Sequence, residues 1–171
     1  ELVITPSMGI AMYPQDGKDF DTLSRCADAA MYIAKQGGRN HYRFFTTEMQ
    51  ADSDRSLLLE NALRRALERN QLYLHYQPQV CVASGAIVGA EALLRWEHPE
   101  LGRVSPAEFI PVAESSGMIL PMGDWVLQTA TRQLREWMDQ GYALTMAVNV
   151  SLVQFRQADF PQRIGQILQD A

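Results

Sequence analysis

The chain has only two cysteines among its 171 residues, Cys26 and Cys81, and they stand apart with no C-x-x-C spacing. That excludes a disulfide framework and a zinc ribbon, and it suits a reducing cytosol. Histidine is nearly as scarce: His41, His75 and His98 fit no zinc spacing and read as surface or packing residues. No apolar run approaches the roughly 18 residues needed to cross a bilayer. No basic, apolar, small-residue progression marks a signal peptide. Positive charge is in deficit, with 15 Lys and Arg against 20 Asp and Glu and a formal charge of −5. A broad attraction to nucleic acid is therefore not expected. An anionic ligand needs a local positive centre, either an Arg or Lys side chain or a metal ion. What is there is ordinary globular material, 47% apolar and 20% charged, enough for one domain or parts of two. There is no internal repeat. The chain opens without methionine, directly in strand-like sequence, and reads as an excised piece.

Along the chain, "LVITPSMGIAMYP" predicts a strand, with Pro6 confining its early part to an edge or bulge. A turn around Pro14 and Gly17 follows. Helical spacing of Leu23, Ala27, Ala30, Met31 and Ala34 then predicts a helix over Asp21 to Gln36, capped by Asp19 or Asp21 and ended by Gly37 and Gly38. "NHYRFF" is a short strand. Residues 1–45 thus form a strand, a helix and a strand, too little to close a core. Residues 46–56, within the polar "TTEMQADSDRS", read as a linker. From residue 57 a second domain begins, with a helix to about Arg69 on Leu59, Ala62, Leu63, Ala66 and Leu67.

"LYLHYQPQVCVASGAIVGAEALLRW" carries two strand-like runs around "ASG", a hairpin signal. A three-residue loop, Ala83-Ser84-Gly85, pairs Val82 with Ala86 and sets Gln77 opposite Glu91. A two-residue loop would instead set Gln77 opposite Ala92. Pro106 opens a helix to about Ser116 with Ser105 as its cap, and Pro111 should kink or shorten it. A strong amphipathic helix runs from Asp124 to Gly141, with Trp125, Trp137 and Met138 expected in the core. "ALTMAVNVS" is a buried strand, and "FPQRIGQILQD" begins another helix. After the hairpin, strand–helix–strand–helix order argues for α/β architecture with a parallel sheet.

Strand alternation places Ile87, Gly89, Glu91, Leu93 and Arg95 on one face of the second hairpin strand. Glu91 and Arg95 point the same way but stand about 13 Å apart along the strand, too far for an unstrained ion pair. The same alternation aligns Thr145, Ala147, Asn149 and Ser151. Asn149 and Gln77, each taken alone, also read as satisfied strand-end polar residues. Glu91 resists that reading, because a buried carboxylate without a partner is costly. Polar residues at the carboxyl ends of strands line the active sites of α/β barrels. Glu91 and Asn149 together offer two oxygen ligands suited to Mg²⁺ or Mn²⁺. Arg95 can fork onto a phosphate. A metal, an arginine and amides at one mouth suggest a phosphate ester. Glu114, in "VAESSG", is a further candidate site residue.

"LYLHYQPQV", "GAEALLRWEHPELGRVSPAEFIPVAESSGMI", "LPMGDWVLQTA" and "AVNVS" together resemble the first half of an EAL domain, over about residues 57–171. "SMGIAMYPQDGKDFDTLSRCADAAMYIAKQGGRNHYRFF" is similar to the last portion of a GGDEF, or diguanylate cyclase, domain. The resemblance implies a partial TIM-like (β/α) barrel that begins with an antiparallel hairpin and follows a strand–helix–strand remnant. It implies a phosphodiesterase that cleaves cyclic-di-GMP to linear pGpG with Mg²⁺ or Mn²⁺, in bacterial second-messenger signalling and biofilm regulation. Glu91 and Asn149 match metal ligands and catalytic positions. Gln77, Leu93, Arg95 and Glu114 fall in the substrate-binding set. Lys35 and Arg39 match basic residues that hold nucleotide phosphates in the GGDEF portion; two solvated charges at a helix C-terminus is a reading of nearly equal weight. Implied partners are cyclic-di-GMP, a second copy of the parent, and GTP at a complete GGDEF domain, with no nucleic acid. A membrane would enter only through an unseen upstream segment of a cytoplasmic protein. The family's later acidic pair, lysine and further glutamates have no counterpart before Ala171, and the GG(D/E)EF signature would precede Glu1. Truncation explains both, and these residues alone are expected to be inactive. The rival reading is a parent that senses cyclic-di-GMP without cleaving it.

Overall fold

A computed structural model describes residues 5–38 and 40–171, with Gln36 described by its backbone alone. The chain divides into two compact units, Glu1–Asn61 and Ala62–Ala171.

In the first unit, strand β1 (Met8–Ile10) pairs in parallel with β2 (Tyr42–Phe44), and helix α1 (Phe20–Gln36) connects them. The strand expected from Leu2 is short: residues 1–4 lie outside the described residues, and beyond Ile10 the Asp16 carboxylate takes the Met12 N–H at 2.6 Å and turns the chain. Asp19 is the cap of α1. Its two carboxylate oxygens accept from the Thr22 N–H and the Thr22 hydroxyl, each at 2.9 Å. The buried side of α1 is small, with Cys26, Ala29, Ala30 and Ala34. Such a side lets backbone approach backbone: a methyl group at Gly9 would overlap the Ala27 carbonyl.

Residues 46–56, read as a linker, are helical from Thr47 onward, within helix α2 (Thr47–Leu63). That stretch lacks periodic apolar residues, but it also lacks Gly and Pro, so nothing stops a helix. Gln50 donates to Asp54 one turn on, at 3.0 Å.

The second unit is built on an open sheet of β3 (Leu72–Val80), β4 (Ile87–His98), β5 (Gly102–Val104) and β6 (Thr145–Val148). Strand β4 is central. On one edge it pairs antiparallel with β3, Gln77 opposite Glu91. Its other edge is shared: β6 runs parallel to residues 89–92, and β5 runs antiparallel to residues 96–98. Leu93, Leu94 and Arg95 fall between these partners. The expected register is present, but the expected loop is not. The tip closes with Cys81 N–H donating to the Ala86 carbonyl at 2.9 Å and Gly85 N–H to the Cys81 carbonyl at 2.8 Å, a four-residue connection. A bulge then follows, since Gln79 faces Gly89 while Val80 faces Ile87. The extra residue, Val88, restores the pairing that a three-residue loop would give.

Helices α3 (Pro106–Ser116) and α4 (Ile119–Asp139) cover the even-numbered face of β4. Trp96 is 1% exposed, lies edge-on to Phe109 at 5.5 Å, and donates from Nε1 to Gln71 Oε1 at 3.3 Å. Ser105 occupies the cap position of α3 without a side-chain bond, and Pro106 supplies a first residue that needs no donor. Pro111 does not shorten α3. It lies on the exposed side, and the Ala107 residue whose carbonyl it leaves unbonded is exposed too, open to water. Helix α4 starts at Ile119, five residues before Asp124. Met138 is 54% exposed rather than core, while Trp137 is half-buried and meets Tyr76 edge-on at 5.1 Å. Burial first, and the negative Glu136 second, push the Tyr76 phenol above its ordinary range. The chain ends in a one-turn helix α5 (Leu152–Phe155), not foreseen, and α6 (Phe160–Gln169). Among the described residues no helix is long and apolar enough to cross a membrane.

Candidate functional site

Alternation along β4 sends Ala90, Ala92 and Trp96 into the core beneath the helices, and Glu91, Leu93 and Arg95 to the opposite, half-open face. Ala147 of β6 is the parallel partner of Glu91, so the next residue of the same parity, Asn149, arrives on the Glu91 side just past the carboxyl end of β6. The side chains meet: Asn149 Nδ2 donates to Glu91 Oε1 at 2.6 Å. Gln77 lies across the ladder from Glu91 on the same face and is exposed. Gly89 permits the close seating of β6, since a methyl group there would crowd Thr145 Oγ1 and its carbonyl oxygen.

Where β4 passes from β6 to β5, a cavity of about 310 Å³ opens. Leu93 and Arg95 of the expected set line it, with Glu114 from α3 and Asn149 and Ser151 from the turn after β6. Pro106, Ile110, Ile119 and Val126 give it apolar walls. Arg95 Nη1 donates to the Leu94 carbonyl at 2.9 Å, and no carboxylate among the described residues forms an ion pair with it. A second, shallower depression is lined by His75, Gln77, Leu93 and Arg95. Glu114 is engaged: its Oε1 accepts from Ser151 Oγ at 2.5 Å. Sequence reasoning missed Gln154, which is 4% exposed and accepts the Ser151 N–H through Oε1 at 3.2 Å. The signal was present as S-x-x-Q, a capping box.

Among the described residues no three His, Cys, Asp or Glu converge on one point. The Glu91–Asn149 pair is a hard-oxygen donor set without thiolate or imidazole, which fits a divalent cation of the Mg²⁺ or Mn²⁺ kind and supplies part of its shell. In the first unit Lys35 is exposed on the last turn of α1, and Arg39 lies outside the described residues.

A parallel β4–β6 pair with an acid and an amide converging beyond its carboxyl ends, entered through an antiparallel hairpin, defines an α/β domain of partial barrel type. The chain belongs to the EAL domain family: the family model matches residues 60–171, and the model "Diguanylate cyclase, GGDEF domain" matches residues 1–41. Among curated relatives, the bifunctional diguanylate cyclase/cyclic di-GMP phosphodiesterase MucR of Pseudomonas aeruginosa is 51% identical over 159 residues, covering 92% of this chain and 23% of MucR. The cyclic di-GMP phosphodiesterase PdeR of Escherichia coli is 42% identical over 170 residues, 99% of this chain and 26% of PdeR. The chain therefore spans about a quarter of the length of these relatives. Among solved structures, the MucR phosphodiesterase in complex with c-di-GMP superposes with a TM-score of 0.64 at 47% identity, over 66% of this chain and 46% of that one.

Proposed function

We propose that residues 57–171 form the N-terminal part of a cyclic-di-GMP phosphodiesterase domain that hydrolyses its substrate to pGpG. Residues 1–45 would then be the end of a GGDEF domain and 46–56 the connection, helical in this structure. The observation that carries the reading is the Glu91–Asn149 contact, with Arg95 on the same strand face. The likeness to the MucR complex supports the choice of ligand. Glu91, through its carboxylate, and Asn149, through Oδ1, would hold a divalent cation. Such an ion, when bound, supplies Lewis-acid stabilisation of phosphate oxygens.

The remaining steps belong to side chains of this chain. Arg95 brings a planar, permanently charged fork to a phosphate and neutralises charge as the ester bond breaks. Gln77, with two donors and an acceptor, braces the nucleotide from the neighbouring strand. Leu93, between Glu91 and Arg95 in the face, gives the sugar or base an apolar contact. Glu114 shapes the cavity wall. Lys35 and Arg39 would hold nucleotide phosphates in a complete GGDEF domain able to take GTP. Assembly as a homodimer, a cytoplasmic location and membrane attachment through an upstream segment belong to the same proposal for the longer protein.

The test is hydrolysis by the intact protein containing this chain. Glu91→Gln should lower pGpG formation by more than about a hundredfold, beyond the usual cost of losing an outer-shell partner of a metal. Unchanged turnover in a folded Glu91→Gln protein would end the proposal.

A further inference from the structure

Asn149 stands on an exposed turn between a four-residue strand and a four-residue helix. A single helical turn does not hold itself together in water. Something else must fix the backbone that delivers this side chain to Glu91, and the structure shows two anchors. From α3, Glu114 Oε1 accepts the Ser151 hydroxyl at 2.5 Å, while that hydroxyl accepts the Val153 N–H at 3.1 Å. From α5, Gln154 Oε1 accepts the Ser151 N–H at 3.2 Å, and the Gln154 amide in turn lies against α4.

Its seat there is Gly123. A methyl group at position 123 would overlap the Gln154 amide nitrogen and carbon. The amide cannot swing clear without giving up the Ser151 N–H, and at 4% exposure it has little room elsewhere. Glycine within a helix is unfavourable relative to alanine. Room for Gln154 accounts for its presence in α4.

We propose that Gln154, seated on Gly123, is a positioning residue for Asn149, acting through the Ser151 backbone two residues beyond it. The proposal rests on the reading of Asn149 as a ligand of the functional site. It assigns Gln154 no contact with substrate or cation.

The experiment follows the side-chain amide protons of Asn149 in ¹H–¹⁵N spectra of the 171-residue chain, identified by their loss in Asn149→Asp. Gln154→Ala and Gly123→Ala should each shift these signals and speed their exchange with water. Gln154→Glu keeps an acceptor for the Ser151 N–H and should hold them near the native position. In the Gly123→Ala/Gln154→Ala double variant the methyl group meets no amide, so the two effects should not add. The double variant, with a better helix former at position 123 and no amide for its methyl group to meet, keeps a folded sample where a single variant does not. Mn²⁺ affinity of the intact protein containing this chain, read by paramagnetic resonance, should weaken about tenfold in either single variant. Absence of Mn²⁺ binding by that intact protein would count against Asn149 as a ligand and leave the amide signals to decide the positioning role. Asn149 signals unmoved in both single variants, while residues 151–155 shift, would overturn the proposal and leave Gln154 as a cap of α5 only.

Discussion

Asn149 and Glu91 stand 58 residues apart in the chain and 2.6 Å apart in space. The contact joins the turn after β6 to the middle of β4 and requires the parallel register that sets Ala147 beside Glu91. A slip of one residue would turn Asn149 to the helix side of the sheet. The site is therefore as exact as the strand pairing beneath it.

That pair supplies only two oxygen-bearing side chains, and a hard cation takes about six ligands. The purified 171-residue chain, assayed with Mg²⁺ or Mn²⁺, should show negligible conversion of cyclic-di-GMP. Robust pGpG production by this chain alone would contradict the expectation.

Arg95 shares its strand face with Glu91 and forms no ion pair among the described residues. Charge-assisted hydrogen bonds of about 1.5–3 kcal/mol correspond to roughly ten- to a hundredfold in affinity. Arg95→Ala should weaken cyclic-di-GMP binding by that factor in calorimetric titration of the intact protein. Arg95→Lys should recover only part, because lysine restores the charge without the fork. Equal affinity in Arg95→Ala would remove Arg95 from the ligand's surroundings.

The buried Trp96–Gln71 hydrogen bond gives a stability prediction independent of function. Trp96→Phe leaves Gln71 Oε1, on a residue 7% exposed, without its donor. The loss should be about 1–3 kcal/mol in urea unfolding. Adding Gln71→Met should cost less than the two single changes summed, since the stranded acceptor disappears with its donor.

Asp19 sets an acid-side prediction. The Thr22 N–H first, and the Thr22 hydroxyl next, hold its carboxyl below the ordinary value of 3.8. A group depressed in the fold contributes stability above its unfolded value and loses it as pH falls through the folded one. Helix content of the first unit should therefore carry a component lost below about pH 4. Asp19→Asn keeps a capping oxygen but does not titrate, and should lack that component in circular dichroism. An identical acid limb in both proteins would show that Asp19 is not its source.

The face of each strand was legible in the sequence because alternation is a hard geometric rule, and it placed Glu91, Leu93, Arg95 and Asn149 together. The hairpin register was legible for a partly mistaken reason: the loop is one residue longer than expected, and the bulge at Val88 compensates. The start of α2 was hidden because its first turns hold only Met49 and Ala51 as apolar residues and show no helical period. Helix α5 was hidden too, since four residues are too few for a pattern and the strand alternation of β6 continues in the sequence to Ser151. The tie between Ser151 and Glu114 spans 37 residues and two elements, beyond any local rule.

Because β4 exchanges one neighbour for another partway along, the gap beside Leu93, Leu94 and Arg95 is a doorway left by chain connectivity, not one carved by shrinking side chains. Strand pairing sets its frame, and side chains of α3 and α4 line it. Larger residues around the rim would narrow the passage, but only re-routing β5 or β6 would wall it up.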